Sequence, residues 1–180
     1  MNVFVLGTGR CGTTTFAKAC KHITNYTTGH EMLSRSLDGS ILLYPDKHIE
    51  VDAHLSAFQG LLMNRYPDAF YVHLERKSEE VVESYIRRGI LLHRGAAPLV
   101  DVIFQTKAKD CSRAQYRKLL SLLCDSINAN IRAMTPRADS MHIWLHDIKQ
   151  GFEAFWYAIQ AKGDLDAALL ELNIRYNASR

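Results

Sequence analysis

Proline is scarce in this chain, 4 in 180 residues, and no Pro/Gly/Ser linker, low-complexity block or internal repeat interrupts it. Repeat arrays and linker-joined modules are thereby excluded, and the length fits one domain over residues 1–180 with a sizeable core. Long apolar runs are also missing. Nothing approaches the roughly 18 residues of a membrane span, and no basic segment followed by an apolar stretch and a cleavage site precedes the first strand. The expectation is a soluble, unexported, cytoplasmic protein. Cysteine is sparse as well: Cys11, Cys20, Cys111 and Cys124 form no CxxC pair and meet no histidines at zinc-finger spacing. Neither a disulfide framework nor a structural zinc site is expected, and the four read as reduced thiols, three of them in packing positions. Charge of one sign is lacking too, with 22 basic against 19 acidic residues and a net +3. That balance gives no ground for a nucleic-acid or membrane-surface partner, while anionic small ligands stay compatible.

What is present is an alternation of short apolar runs and amphipathic stretches, the pattern of an α/β fold with a mostly parallel sheet. Strands are expected at Asn2–Leu6, Ile23–Thr27, His48–Val51, Phe70–Leu74 and Met141–Leu145, with Phe70–Leu74 in the interior. Helices are expected over Thr13–His22, through Leu55, Phe58, Leu62 and Tyr66 on one face, from a Ser78 cap to about Gly89, from Tyr116 to Met134, through Phe152, Phe155, Trp156 and Ile159, and over Asp164–Leu172. The periodicity between Gly89 and Asp110 is too poor to place that segment.

The stretch "VFVLGTGRCGTTTFAKAC" starts as a buried strand, turns on glycines and enters a helix, as a phosphate-binding loop does. Gly7 and Gly12 have P-loop spacing, yet Thr13 stands where a nucleotide-binding loop carries lysine. Backbone N–H groups at the helix start, with the helix dipole behind them, suit an anion at Gly12, Thr13 and Thr14. Without the lysine, and without a convincing acidic metal-binding strand (Asp52 and Asp147 follow runs broken by Glu50 and His146), a kinase or NTPase is disfavoured. A sulfuryl group carries less charge than a terminal phosphoryl group, so its transfer can be stabilised by cationic side chains and N–H donors without a metal.

"GTGRCGTTTF" resembles the 5′-phosphosulfate loop of the PAPS-dependent sulfotransferases, in which a basic and a small residue precede Gly-Thr-Thr; Cys11 stands where that family usually has Ser. "FYVHLERKSEEVVESYIRRG" resembles the family's second signature, a strand ending in Arg followed eight residues later by Ser, here Arg76 and Ser84. "MHIWLHDIKQGFEAFW" is similar to a late segment of bacterial sulfotransferase-like proteins. The resemblance implies a P-loop nucleoside-triphosphate-hydrolase-like fold and PAPS as donor, with no metal. It implies that Gly9, Arg10, Cys11, Gly12, Thr13, Thr14 and Thr15 hold the 5′ end and that Arg76 and Ser84 hold the 3′-phosphate. An Arg fork at a strand end and a hydroxyl in the next helix can converge on one phosphate.

For the chemistry, Arg10 is the cation expected to stabilise the leaving phosphate. "TTGHE" follows an expected strand and belongs at the sheet's carboxyl edge, where open α/β sheets bind ligands. Glu31, matching a catalytic Glu of tyrosylprotein sulfotransferases, is therefore the first candidate base, and His30 the second. Asp52 is a third candidate, or the carboxylate that orients Arg10, against its simpler role as a helix N-cap. His54 reads as a surface or acceptor-pocket residue, and zinc coordination by His30, His54 and Asp52 has no supporting i, i+4 pair. Arg87, Arg88, His93 and Arg94 read as a solvated basic face. The expected acceptor is a small molecule, lipid or glycan; the alternatives are an inactive nucleotide-binding protein of the same fold and, further off, a small-molecule kinase.

Overall fold

The computed structural model describes residues 1–32, 42–87, 97–106 and 110–176. Five strands, β1 (Val3–Leu6), β2 (Thr27–His30), β3 (His48–Val51), β4 (Phe70–Glu75) and β5 (Ser140–Trp144), form one sheet in the order β2-β3-β1-β4-β5. Every pairing is parallel. The interior strands β1, β3 and β4 are buried almost throughout, because helices cover a parallel sheet on both faces, and the polar His48, Glu50, His73 and Glu75 are enclosed with them.

Among the described residues, seven α-helices connect and cover the strands: α1 (Thr13–Cys20), α2 (Gln59–Arg65), α3 (Ser78–Arg87), α4 (Ala97–Ile103), α5 (Arg113–Met134), α6 (Ile148–Ala158) and α7 (Leu165–Glu171). Alternation along β1 decides which faces they cover. Val3 and Val5 pack with Phe16, Phe152, Phe155 and Trp156 of α1 and α6. Phe4 and Leu6 point the other way, onto Leu55, Leu62, Ile131 and Met134. A further cluster of Val81, Val82, Val100, Leu120 and Leu123 joins α3, α4 and α5.

The chain runs from central β1 outward to β2, returns through β3, and crosses β1 to β4 and β5. The direction of travel therefore reverses beside β1, and the crevice outside the carboxyl ends of β1 and β4 is the place where such sheets take ligands.

Three expectations change. The second strand is Thr27–His30, not Ile23–Thr27: Ile23 is buried, but it makes only an isolated antiparallel bridge to Gly163. The helix expected through Leu55, Phe58, Leu62 and Tyr66 is a 3-10 turn (Ala53–Ala57) followed by α2, and Phe58 at the break is exposed. Ser78 is the first residue of α3 rather than its cap, since the carbonyl of Lys77 accepts the N–H groups of Glu80 and Val81. Within the segment that periodicity could not place, residues 97–103 form α4. Arg88, His93 and Arg94 lie outside the described residues.

Candidate functional site

The loop between β1 and α1 is held from three directions. Ser56 Oγ donates to the carbonyl of Gly7 at 2.9 Å and accepts its N–H at 3.1 Å, pinning the loop's first residue to the 3-10 turn after β3. Tyr85 Oη donates to the carbonyl of Thr8 at 3.1 Å. Arg76 Nη1 donates to the carbonyl of Arg10 at 3.3 Å. Gly7 permits this closeness: a Cβ there would lie 2.5 Å from the Leu74 carbonyl oxygen and 2.7 Å from Cys11 Sγ. Gly9, Arg10 and Gly12 all take positive φ, of 73°, 55° and 91°, so the chain folds back on itself before α1 begins. For Arg10 that left-handed backbone costs about 1–2 kcal/mol, which the surrounding bonds must outweigh.

No side chain caps the N-terminus of α1, and the helix dipole directs positive potential from Thr13, Thr14 and Thr15 toward the crevice. Cys11 is fully buried beneath the loop, its thiol pushed up to about 11 by desolvation. It can therefore present backbone but not side chain to a ligand. Cys20 and Cys124 are buried likewise, and all four cysteines are free.

The two motifs that the sequence singles out meet in space. Arg10 Nε donates to Ser84 Oγ at 3.1 Å, across 74 positions of sequence. Arg76, while reaching the Arg10 carbonyl, also donates through Nε to Glu80 at 2.9 Å. Two guanidinium groups and one hydroxyl thus gather at the carboxyl ends of β1 and β4.

The carboxyl ends of β2 and β3 supply the opposite wall. Glu31 follows β2 directly, its backbone left-handed at φ 54° and its N–H donating to the Val51 carbonyl at 3.3 Å. Glu50 fixes this exit from below: it is fully buried, binds His48 Nε2 at 3.0 Å and accepts the N–H of Met32 at 2.9 Å. His30 lies 3.9 Å from Glu31, and its Nε2 is buried without a hydrogen-bond partner.

Asp52 is fully buried and serves as the N-cap of the 3-10 turn, its Oδ1 accepting the His54 N–H at 2.8 Å and meeting His54 Nδ1 at 2.7 Å. The carboxylate is enclosed against the 3-10 turn, and of this pair it is His54 that lines the cleft. The hydrogen bond to Asp52 holds the imidazole above its ordinary 6.5, against the opposing effect of burial and with further help from the charges of Asp52 and Glu31. With Nδ1 engaged by Asp52, Nε2 is the nitrogen left to accept a proton.

These groups line one cleft of about 1790 Å³, whose walls include Arg10, Thr13–Thr15, His30, Glu31, His54, Arg76 and Ser84. A smaller hollow of about 600 Å³ between α1 and β2 shares Thr14 and His30 with it and adds Lys18 and Lys21. The segment after α7 closes one side: Ile174 and Tyr176 line the cleft, and Thr15 Oγ1 donates to the Ile174 carbonyl at 3.2 Å.

Sequence reading missed Ser56 and Tyr85 as supports of the loop and the pairing of His54 with Asp52. Tyr85 adjoins Ser84 in the second motif, and the spacing Asp-x-His at a strand end was the available signal for His54. No protein-family model matches this chain, and comparison with curated proteins yields no match.

Proposed function

We propose that this chain is a PAPS-dependent sulfotransferase, a single P-loop-type domain that moves a sulfuryl group to a hydroxyl of a small-molecule, lipid or glycan acceptor in the cytoplasm. The observation that carries the reading is the contact of Arg10 with Ser84 and of Arg76 with the Arg10 carbonyl, which makes the two sulfotransferase-like motifs one site. The β2-β3-β1-β4-β5 order, with the glycine loop between the central strand and the first helix, supports a P-loop architecture. Two arginines and an uncapped helix N-terminus suit a donor with phosphate at both ends of its ribose.

The donor supplies the sulfuryl group: the acceptor oxygen bonds to sulfur as the bond from sulfur to the 5′-phosphate oxygen breaks, and that oxygen keeps the electron pair. The first turn of α1, from Gly12 to Thr15, holds the 5′ end, and Arg76 and Ser84 hold the 3′-phosphate. Arg10, always cationic, stabilises charge gathering on the leaving phosphate but does not protonate it. The acceptor's proton goes to Glu31 or to His54 Nε2, which face the same cleft. Asp52 fixes the His54 tautomer. The mixed composition of residues 33–46 and 89–110 suits an acceptor pocket, and of these the structure describes 42–46, 97–106 and 110.

The test is calorimetric titration with adenosine 3′,5′-bisphosphate, and in parallel with ADP, each with and without magnesium. Preference for the bisphosphate without metal is the expected result. Preference for magnesium-ADP would turn the reading toward a kinase, and no binding of either nucleotide would remove it.

A further inference from the structure

His73 and Glu75 stand two residues apart on β4, so both side chains fall on one face of the sheet. The parallel register sets His142 of β5 beside His73, their rings 5.1 Å apart. Helix α5 covers this face and reaches the group with Asn128 and Arg132. Arg132 Nη1 donates to Glu75 Oε1 at 2.7 Å, and His142 Nε2 lies 2.8 Å from Glu75 Oε2.

His73 is the member without a settled partner. Its Nε2 lies 3.1 Å from Asn128 Oδ1, and an amide oxygen only accepts, so the ring proton is on Nε2 and Nδ1 carries a lone pair. That Nδ1 is buried, has no hydrogen-bond partner among the described residues, and faces Glu75 Oε2 at 3.7 Å. His73 is 1% exposed and Glu75 6%. Two electron-pair donors facing each other out of water repel, and a cation between them removes the conflict. At 3.7 Å the two atoms are too far apart to share a proton in a hydrogen bond.

We propose that His73 Nδ1, Glu75 Oε2 and His142 Nε2 form a binding site for one divalent transition-metal ion of the zinc class. Their ligand atoms lie within 4.8 Å of one another, the one such group of three among the described residues. Two imidazole nitrogens and a carboxylate oxygen are a zinc donor set, whereas calcium and magnesium take oxygen. Bonds of about 2.0–2.2 Å in a tetrahedron place donors roughly 3.3 Å apart. The 2.8 Å pair therefore opens and the 3.7 Å pair closes by about half an ångström each.

The proton shared by His142 and Glu75 leaves as the ion enters. Asn128 supplies the outer hydrogen bond that fixes a metal-bound histidine. His142, 39% exposed in its side chain, gives the ion a path inward and water a fourth position. None of the three donors lines the cleft, so the site stands or falls independently of the sulfotransferase reading.

Metal-free full-length protein is titrated with cobalt(II), followed by its visible absorption, and then with zinc as competitor. One equivalent of cobalt with a tetrahedral absorption band, displaced by zinc, is expected, and saturating zinc should raise Tm by roughly 5 °C or more. His142→Ala, at an edge strand, should weaken cobalt roughly tenfold or more, while His22→Ala, on the other face, leaves it unchanged. Arg132→Met removes the cation that competes for Glu75 and should tighten cobalt. Absence of a stoichiometric band in the unsubstituted protein overturns the proposal. So does equal affinity in His142→Ala, or cobalt affinity in Arg132→Met that is no tighter.

Discussion

Glu75 and Arg76 are neighbours in sequence at the end of one strand, yet they belong to opposite kinds of site. Glu75 turns under α5, where it is 6% exposed and holds Arg132 and His142. Arg76 turns into the cleft, where its ion-pair partner Glu80 is exposed. An exposed pair of this kind contributes about 0–1 kcal/mol, so an arriving phosphate can take the guanidinium at little cost. The buried carboxylate cannot release its partners so cheaply, because any it loses leaves charge without solvent. Similar ion pairs are thus tightly enclosed on one side of the sheet edge and open to solvent on the other.

The largest way to break this arrangement is at Gly7, which joins the loop to β4. Gly7→Ala drives a Cβ against the backbone oxygen of Leu74, which cannot rotate away, and should cost about 3 kcal/mol by chemical denaturation. A loss below about 1 kcal/mol would mean that the loop floats free of the strand. Next comes Arg76→Ala: bisphosphate affinity should fall by about 10- to 100-fold, as expected for a lost charge-assisted bond, while ADP affinity changes little. Equal weakening of both nucleotides would remove the 3′-phosphate assignment. Its effect on stability should stay within about 1 kcal/mol, the worth of its bond to the Arg10 carbonyl.

Arg132→Ala should do the reverse, costing about 1–3 kcal/mol of stability with bisphosphate affinity preserved. If the two arginines behave alike, the contrast between closed and open sides fails. The smallest expected effect is at Asp52. In Asp52→Asn the His54 imidazole should titrate closer to 6.5, read by NMR. Its raised value in the folded protein gives stability that is full below the unfolded value and lost as pH rises through the folded one. The substitution should therefore flatten that slope just above pH 6.5.

The loop, the parallel sheet and the interior position of β4 were legible because each writes a local pattern: glycines at fixed spacing, or an unbroken apolar run. β2 was misplaced because an edge strand needs no such run. Its "TTGH" is paired through His48, whose Nδ1 meets Thr27 Oγ1 at 2.8 Å, while apolar Ile23 packs in the core without joining a strand. Arg10, Arg76 and Ser84 stand out by motif and Glu31 by its place after an expected strand, and the structure sets all four along one cleft. His54 reads from sequence as a surface or acceptor-pocket residue, and its contact with Asp52 is not legible there because only the tight 3-10 turn brings its ring back onto that carboxylate. His73 and Glu75 show alternation, but their partner His142 is 67 positions away from Glu75 and becomes a neighbour only once the sheet order is known.

The double hydrogen bond between Ser56 and Gly7 means that the loop and the turn after β3 cannot be exchanged as separate modules. Replacing residues 53–58 would disturb the grip on the loop between β1 and α1. Change in one segment then constrains which changes the other tolerates, so successful variants of the two should arise together.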